Sequence, residues 1–199
     1  MKPVKGRGSF CMLLATLALT LSSCTINVNL PDNREQEVPA VQVNDRERAA
    51  MFSEMMIPHH QQAIDMAQLA LSTSDSESLR DLANRIIAGQ TPEIELMQQW
   101  TDGATLPRPG GMMPGSGMPG MGGMASDQEL EELESLRGRD FDEKFLELMI
   151  HHHEGALMMV RMIQGSTIPE VGALAEDIVR VQSAEISEME LMLDELSSD

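Results

Sequence analysis

The sequence predicts an all-α protein whose folded part is a four-helix bundle made of two duplicated helical hairpins. Three observations lead to this prediction: apolar residues recur at helical spacing, two long segments are repeated later in the chain, and a stretch rich in Gly, Pro and Met separates the copies. The predicted helices span residues 45–72, 75–101, 127–164 and 167–197. The chain of 199 residues is 42% hydrophobic, which is enough to form the core of one such domain.

The repeat relates the first helix to the third and the second to the fourth. Residues 52–67 read FSEMMIPHHQQAIDMA and residues 145–160 read FLELMIHHHEGALMMV, with eight of sixteen positions identical at an offset of 93. Residues 82–100 and 174–192 agree at seven of nineteen positions at an offset of 92. A slip of one residue in the connecting turn is typical of a duplicated helical hairpin.

The first predicted helix carries its apolar side chains on one face. At about 100° per residue, six of them fall within about 60° of His59, namely Phe52, Met55, Met56, Ala63, Met66 and Ala70. The third helix repeats this stripe around His152. Pro58 lies inside the first helix, and we expect the helix to continue through it with a kink, because its counterpart in the repeat is His151.

The second and fourth helices each place a Gln and a Glu inside an otherwise apolar stripe. These are Gln90 and Glu93 in the second helix, and Gln182 and Glu185 in the fourth. A buried carboxylate without a partner costs several kcal/mol. Two of them at equivalent positions therefore require cations or hydrogen-bond donors nearby, and the facing helices supply histidines.

The segment between the two halves has no periodic pattern. Residues 107–124 contain seven Gly, four Pro and five Met, so we predict a flexible, disordered linker over about residues 102–126. The linker methionines have no core to fill. They are either the result of sequence drift without a function or ligands that collect soft metal ions, and we favour the second interpretation. They are Met112, Met113, Met118, Met121 and Met124.

The N-terminus predicts an exported, lipid-anchored protein. Residues 1–23 combine three basic residues with an apolar run too short to span a bilayer, which is typical of a signal peptide. This segment ends directly before Cys24 in the sequence LSSC, which resembles the lipobox of bacterial lipoproteins. We therefore predict lipidation at Cys24, a tether over residues 24–44 and a bundle domain over residues 45–199 on the outer face of a bacterial membrane or in the periplasm. An ordinary signal peptide with a chance Cys is the alternative.

The charge of the chain restricts its partners. With 32 acidic and 14 basic residues the formal net charge is −18, which argues against nucleic-acid binding because phosphates would be repelled. Cationic partners such as metal ions remain open. The sequence does not identify a protein partner, and it leaves open whether the bundle forms a homo-oligomer.

The histidines define a candidate site in the core of the bundle. We predict a metal site whose ligands come from His59, His60, His152, His153, Glu93, Glu185, Met56 and Met149. Imidazole suits copper, zinc, iron and nickel, while thioether favours Cu(I), so copper is the expected ion. From the reference pKa of His, about 6.5, metal binding is expected to weaken below about pH 6. The alternative is a buried His–Glu–Gln network that fixes the register of the bundle.

Two motifs carry a resemblance to a known family. The pattern M-x-x-H-H-x-x-A-x-x-M over residues 56–66 and 149–159, with Q-x-x-E over 90–93 and 182–185, resembles the domain-of-unknown-function family 305. The resemblance covers about residues 45–199. It implies a ferritin-like fold, and a similarity to secreted or lipid-anchored copper-binding and copper-tolerance proteins. His151 and the Met-rich linker go beyond the pattern.

These observations predict an extracytoplasmic metal-binding lipoprotein, not an enzyme, that sequesters copper. A ferritin-like two-metal redox enzyme is the first alternative, but such sites use Glu-x-x-His spacing. Glu54 and Glu147 instead lie five residues before His59 and His152, on the polar face. The second alternative is a structural surface lipoprotein with a buried His–Glu network.

Overall fold

The computed structural model describes residues 44–101 and 122–198, and throughout these ranges the protein is helical without strands. Its helices are α1 (Asp45–Thr73), α2 (Glu77–Thr101), α3 (Asp127–Ser135), α4 (Gly138–Met159) and α5 (Pro169–Ser198), with a short 3-10 helix at Val160–Met162. The all-α prediction is confirmed. None of these described helices is long and apolar enough to cross a membrane.

Several sequence predictions fall on other parts of the chain. The signal peptide at residues 1–23, the lipidation site Cys24 and all but the last residue of the tether lie outside the described residues. So does most of the predicted linker, with four of its five methionines: Met112, Met113, Met118 and Met121. The last residues predicted as disordered linker, 122–126, are described, and Gly123 and Ala125 are buried there. That end of the linker is therefore part of the packed domain.

Helix ends agree with the sequence predictions except in the third helix. The predicted helix over residues 127–164 is interrupted, because Leu136 and Arg137 have extended backbone and Gly138 has a φ of 61°. Glycine adopts this left-handed conformation without the steric penalty that a Cβ brings. The chain therefore turns between α3 and α4, and α3 becomes a short helix that is separate from the four long ones.

The first helix begins at a capping box and continues through a proline. Asn44 accepts a hydrogen bond from the backbone of Glu47, while the Glu47 side chain accepts one from the backbone of Asn44. Pro58 lies inside α1 with its ring exposed to solvent, and Pro92 lies inside α2 in the same way. Solvent can therefore satisfy the carbonyl groups that each proline leaves without a helical donor.

The core is divided into two parts by the histidines. One cluster joins Ala63 and Met66 of α1 to Phe145 and Met149 of α4. The other cluster joins earlier residues of α1 to later residues of α4, including Met56 and Met159 respectively. Because the start of α1 packs near the end of α4 and the end of α1 packs near the start of α4, the two helices run antiparallel. They cross at their histidines. Helix α2 packs on α1 and α5 packs on α4, so each hairpin of the duplication covers one side of the crossing.

Candidate metal centre

His59 of α1 and His152 of α4 meet where the two helices cross. Their ring centroids are 3.7 Å apart and the ring planes are inclined by 37°. The two residues are 0% and 1% exposed, and neither ring nitrogen of either residue has a hydrogen-bond partner. Both side chains lie on the apolar faces that the sequence predicted.

His60 and His153 flank this pair, and each is held by a carboxylate from the neighbouring helix of its own hairpin. The Nε2 atom of His60 lies 2.7 Å from Oε2 of Glu93, and Nε2 of His153 lies 2.8 Å from Oε2 of Glu185. A carboxylate only accepts hydrogen bonds, so Nε2 of each imidazole carries the proton. This tautomer leaves Nδ1 of each ring with a free lone pair, and both Nδ1 atoms are buried without a partner.

Each of the two carboxylates accepts a hydrogen bond from Nε2 of an imidazole. In histidines that bind metals, such a partner fixes the tautomer and the orientation of the ring. The side chains of Glu93 and Glu185 are 18% and 10% exposed. The sequence grouped them with the histidines, and in the structure each of them accepts a hydrogen bond from one histidine.

Both carboxylates line a narrow crevice between α2 and α5. Its cavity volume is about 40 Å³, which is enough for a water molecule. Gln90 and Gln182 line it, are 4% and 3% exposed, and have amide atoms without a hydrogen-bond partner. The Q-x-x-E motifs of the two repeats therefore form one polar seam behind the histidines.

The two predicted thioether ligands lie within the core beside the histidines. Met56 and Met149 are both 0% exposed, and each precedes its helix's central histidine by three residues. Residues at this spacing are neighbours on one helical face. His151 is exposed and faces Glu154 at 3.7 Å, so it lies outside the centre.

Burial keeps the central pair neutral. Loss of solvent, followed by the neighbouring His60, lowers the pKa of His59 to about 3. Burial also lowers the pKa of His152 well below its ordinary value, with His59 as the next cause. The backbone of Gly122 lies near His59 and acts in the opposite direction, raising the pKa of that ring. The contact does not meet the geometry of a hydrogen bond. Both rings therefore stay neutral to a lower pH than the reference pKa of about 6.5 suggests, and the weakening of metal binding below about pH 6 stays a prediction.

The donor set fits some metal ions better than others. Six buried imidazole nitrogens have no hydrogen-bond partner, namely Nδ1 and Nε2 of His59 and His152 and Nδ1 of His60 and His153. Each unsatisfied buried polar atom costs about 1–3 kcal/mol, and such atoms call for an explanation such as an ion. Over residues 44–101 and 122–198, however, no three His, Cys, Asp or Glu side chains converge as a preformed cage. The donors that lie together here are imidazole nitrogens, with two methionine sulfurs on the same helical faces, and such donors suit copper among other ions.

Sequence reasoning missed one structural component of the centre, the end of the linker. The side chain of Gln62 makes two hydrogen bonds to the backbone of Ala125, and Gly122 rests against Gly155. The repeat contained a signal for this contact: Gln62 and Gly155 occupy equivalent positions, yet one is long and polar and the other has no side chain.

The fold and the site together define a class of protein: a helical bundle formed by two hairpins, with four buried histidines where the hairpins meet. The chain belongs to the DUF305 family, a domain of unknown function, whose family model matches residues 49–193. This confirms the resemblance that the motifs indicated.

Solved structures of the family resemble this one. A DUF305 protein from Streptomyces coelicolor, inferred to be secreted, is 30% identical, covers 77% of this chain and 94% of its own, and has a TM-score of 0.66. CopM in its Cu(I)-bound form is 36% identical over 74% of this chain and 96% of its own, with a TM-score of 0.58. CopM in its Cu(II)-bound form is 38% identical over 76% and 97%, with a TM-score of 0.60. No curated protein matches the chain.

Proposed function

We propose that this protein is an extracytoplasmic metal-binding protein that holds copper, as Cu(I), at the His59–His152 pair. The observation that carries the proposal is the set of unpartnered nitrogens on these two buried, neutral rings. Buried imidazoles that bind nothing lose their hydration without compensation. A bound ion provides that compensation.

The donor atoms favour Cu(I) over harder ions. Thioether and neutral imidazole are soft or intermediate ligands, whereas carboxylates suit harder ions. Met56 and Met149 lie beside the central pair, and the nearby carboxylates are engaged by His60 and His153. CopM, which has solved forms with Cu(I), Cu(II) and silver, supports the same assignment by family likeness.

Binding is better supported than catalysis. A two-metal redox centre in a helical bundle takes most of its ligands from carboxylates. Near these histidines the described residues offer Glu93 and Glu185, and each already accepts a hydrogen bond from an imidazole. The structural-lipoprotein alternative requires the buried polar groups to satisfy one another, but the central pair is left unsatisfied. The ferritin-like relationship stays an expectation from the family resemblance.

Competition between metals tests the proposed function. Protein purified without a polyhistidine tag should retain at least one equivalent of Cu(I) against bicinchoninate, and Ag(I) should displace it. Zn(II) should be removed by a weaker chelator, because zinc requires about four ligands in a tetrahedral cage. Zn(II) retained more tightly than Cu(I), or no retained metal at all, would contradict the proposal.

Lipidation at Cys24 is part of the same proposal, supported by the leader sequence and by the secreted relative. Cys24→Ser should move the protein from the membrane fraction of a bacterial host to the soluble fraction and abolish incorporation of labelled fatty acid. Cys11→Ser is the matched control, since that residue lies within the predicted signal peptide and should leave anchoring unchanged. Equal membrane association of all three proteins would show that Cys24 is not the anchor.

A further inference from the structure

We infer that residues 122–125, here called the strap, close the histidine centre on its α1–α4 face, and that Gln62 and Gly155 are positioning residues that hold the strap there. The inference rests on the proposed function in that the ion would reach His59 and His152 when the strap is released. The two anchors work by different contacts.

Gln62 holds the Ala125 end of the strap by two hydrogen bonds. Its Nε2 donates to the carbonyl of Ala125 at 2.9 Å, and the N–H of Ala125 donates to its Oε1 at 2.8 Å. One amide side chain thus satisfies both backbone groups of a residue that is 8% exposed. A buried backbone group without a partner is costly, so the pair of bonds specifies where Ala125 sits.

Gly155 contacts the other end of the strap through its backbone. A Cβ at Gly155 would lie 1.7 Å from the carbonyl oxygen of Gly122 and 2.9 Å from Cα of Gly123. Gly123 in turn has a φ of 93°, and its own Cβ would lie 2.4 Å from the carbonyl oxygen of His151. The strap and α4 therefore touch backbone to backbone, which only glycine permits at these positions.

The two anchors lie on opposite sides of the histidine pair. Gln62 follows His59 by three residues and Gly155 follows His152 by three, so each is about 4.5 Å along its helix axis from its histidine. Since α1 and α4 run antiparallel, these steps point in opposite directions. The three residue steps from Gly122 to Ala125 reach about 10 Å when extended, and the strap contacts both anchors. The backbone of Gly122 also reaches the His59 ring.

The opposite side of the centre is closed differently. There the rings of His60 and His153 contact their carboxylates, and the crevice between α2 and α5 has a volume of only about 40 Å³. Displacing the strap breaks two hydrogen bonds, whereas widening the crevice would move α2 or α5, each of which packs along the other helix of its own hairpin. The strap is therefore the side that opens more easily.

Two variants release the strap by different means. Gln62→Leu removes both hydrogen bonds, and Gly155→Ala places a methyl group where the strap lies. Gln61→Leu and Gly172→Ala are the matched controls, because Gln61 is exposed and a Cβ at Gly172 would make only an ordinary contact of 3.6 Å with the backbone of Ser166. The full chain is loaded with Cu(I), and the rate of Cu(I) transfer to excess bicinchoninate is measured by stopped flow.

Gln62→Leu should transfer Cu(I) roughly ten- to a hundredfold faster than wild type, the change that follows from losing two hydrogen bonds of ordinary net strength. Gly155→Ala should also transfer it faster, because the added methyl group displaces the strap. Affinity should change by less than about threefold, because the strap closes over free and loaded protein alike. A purely structural role would instead lower the affinity and melting temperature without this selective gain in rate. Transfer at the wild-type rate would overturn the inference and assign ion access to the α2–α5 crevice.

A metal-free measurement separates this inference from the proposed function. Diethyl pyrocarbonate modifies neutral imidazoles, and peptide mapping reports its reaction with His59 and His152. Both strap variants should react at least about tenfold faster than wild type at these residues, while exposed His151 reacts equally in all proteins. Equal reaction of His59 and His152 in every protein would overturn the inference even if Cu(I) binds, and faster reaction would support it even if Cu(I) does not bind.

Discussion

Replacing His59 and His152 together by Ala should abolish the stabilisation that Cu(I) gives to the wild-type protein. A ligand that binds only the folded state stabilises it by about 4 kcal/mol at a thousandfold excess over Kd. For a domain of this size that corresponds to a rise in melting temperature of about 8–16 °C. The double variant should show no such rise, because both central ligands are missing. The measurement is a pair of thermal melts with and without Cu(I).

The metal-free stability of the double variant distinguishes metal binding from a purely structural network. The carboxylates are paired with His60 and His153, not with the central rings. Removing His59 and His152 should therefore leave the metal-free fold nearly as stable, since the unsatisfied nitrogens leave with them and offset part of the lost packing. His151→Ala serves as the exposed control and should keep the full Cu(I) effect. A Cu(I)-dependent rise that persists in the double variant would exclude the central pair as the site.

The metal-free protein should lose stability steeply as the pH falls below about 6.5. His59 and His152 have depressed pKa values in the folded state, with His59 at about 3, so the unfolded chain binds more protons than the folded one. Each such histidine changes the free energy of unfolding by about 1.4 kcal/mol per pH unit between its folded and unfolded pKa values. The two together contribute about 2.7 kcal/mol per unit, and their contribution is complete above about pH 7.

Urea unfolding between pH 4 and pH 7 measures this slope, and the His59→Ala, His152→Ala double variant isolates it. His60, His153 and their carboxylates face the central rings and remain in both proteins, so the difference reports the central rings together with their interactions with these neighbours. Asp45 acts in a separate range, because its hydrogen bonds from Thr167 lower its pKa to about 2 and any stabilisation from it is lost only as the pH falls through that region. Identical pH dependence of wild type and double variant would contradict the assignment of neutral, buried rings.

The sequence was a reliable guide to the fold because the duplication and the helical spacing agreed. Two copies of the same stripe, one around His59 and one around His152, can be buried together only if the two helices face each other. The break before α4 was not visible, because a single Gly138 in a polar stretch is compatible with either a helix or a turn.

For the candidate site, the sequence indicated which residues lie on inward faces but not how their side chains meet. Helical spacing placed the four histidines and the two Glu side chains on inward faces, which is a question of angle alone. Which imidazole nitrogen meets a carboxylate depends on how far apart the helices lie, and that distance is set by packing of the whole core. The strap was missed because composition correctly marks Gly-rich sequence as unable to form a helix, yet glycine also permits the close backbone contact at Gly155.

The central claim is that a soft monovalent ion binds to His59 and His152 directly. Silver is a diamagnetic probe with nuclear spin one half, so protein with ¹⁵N-labelled histidines and one equivalent of Ag(I) reports each ligating nitrogen by a shifted and split resonance. We expect this change on His59 and His152, with Nε2 of His60 and His153 still protonated and His151 unaffected. Unchanged resonances of His59 and His152 with silver bound elsewhere in the chain would contradict it.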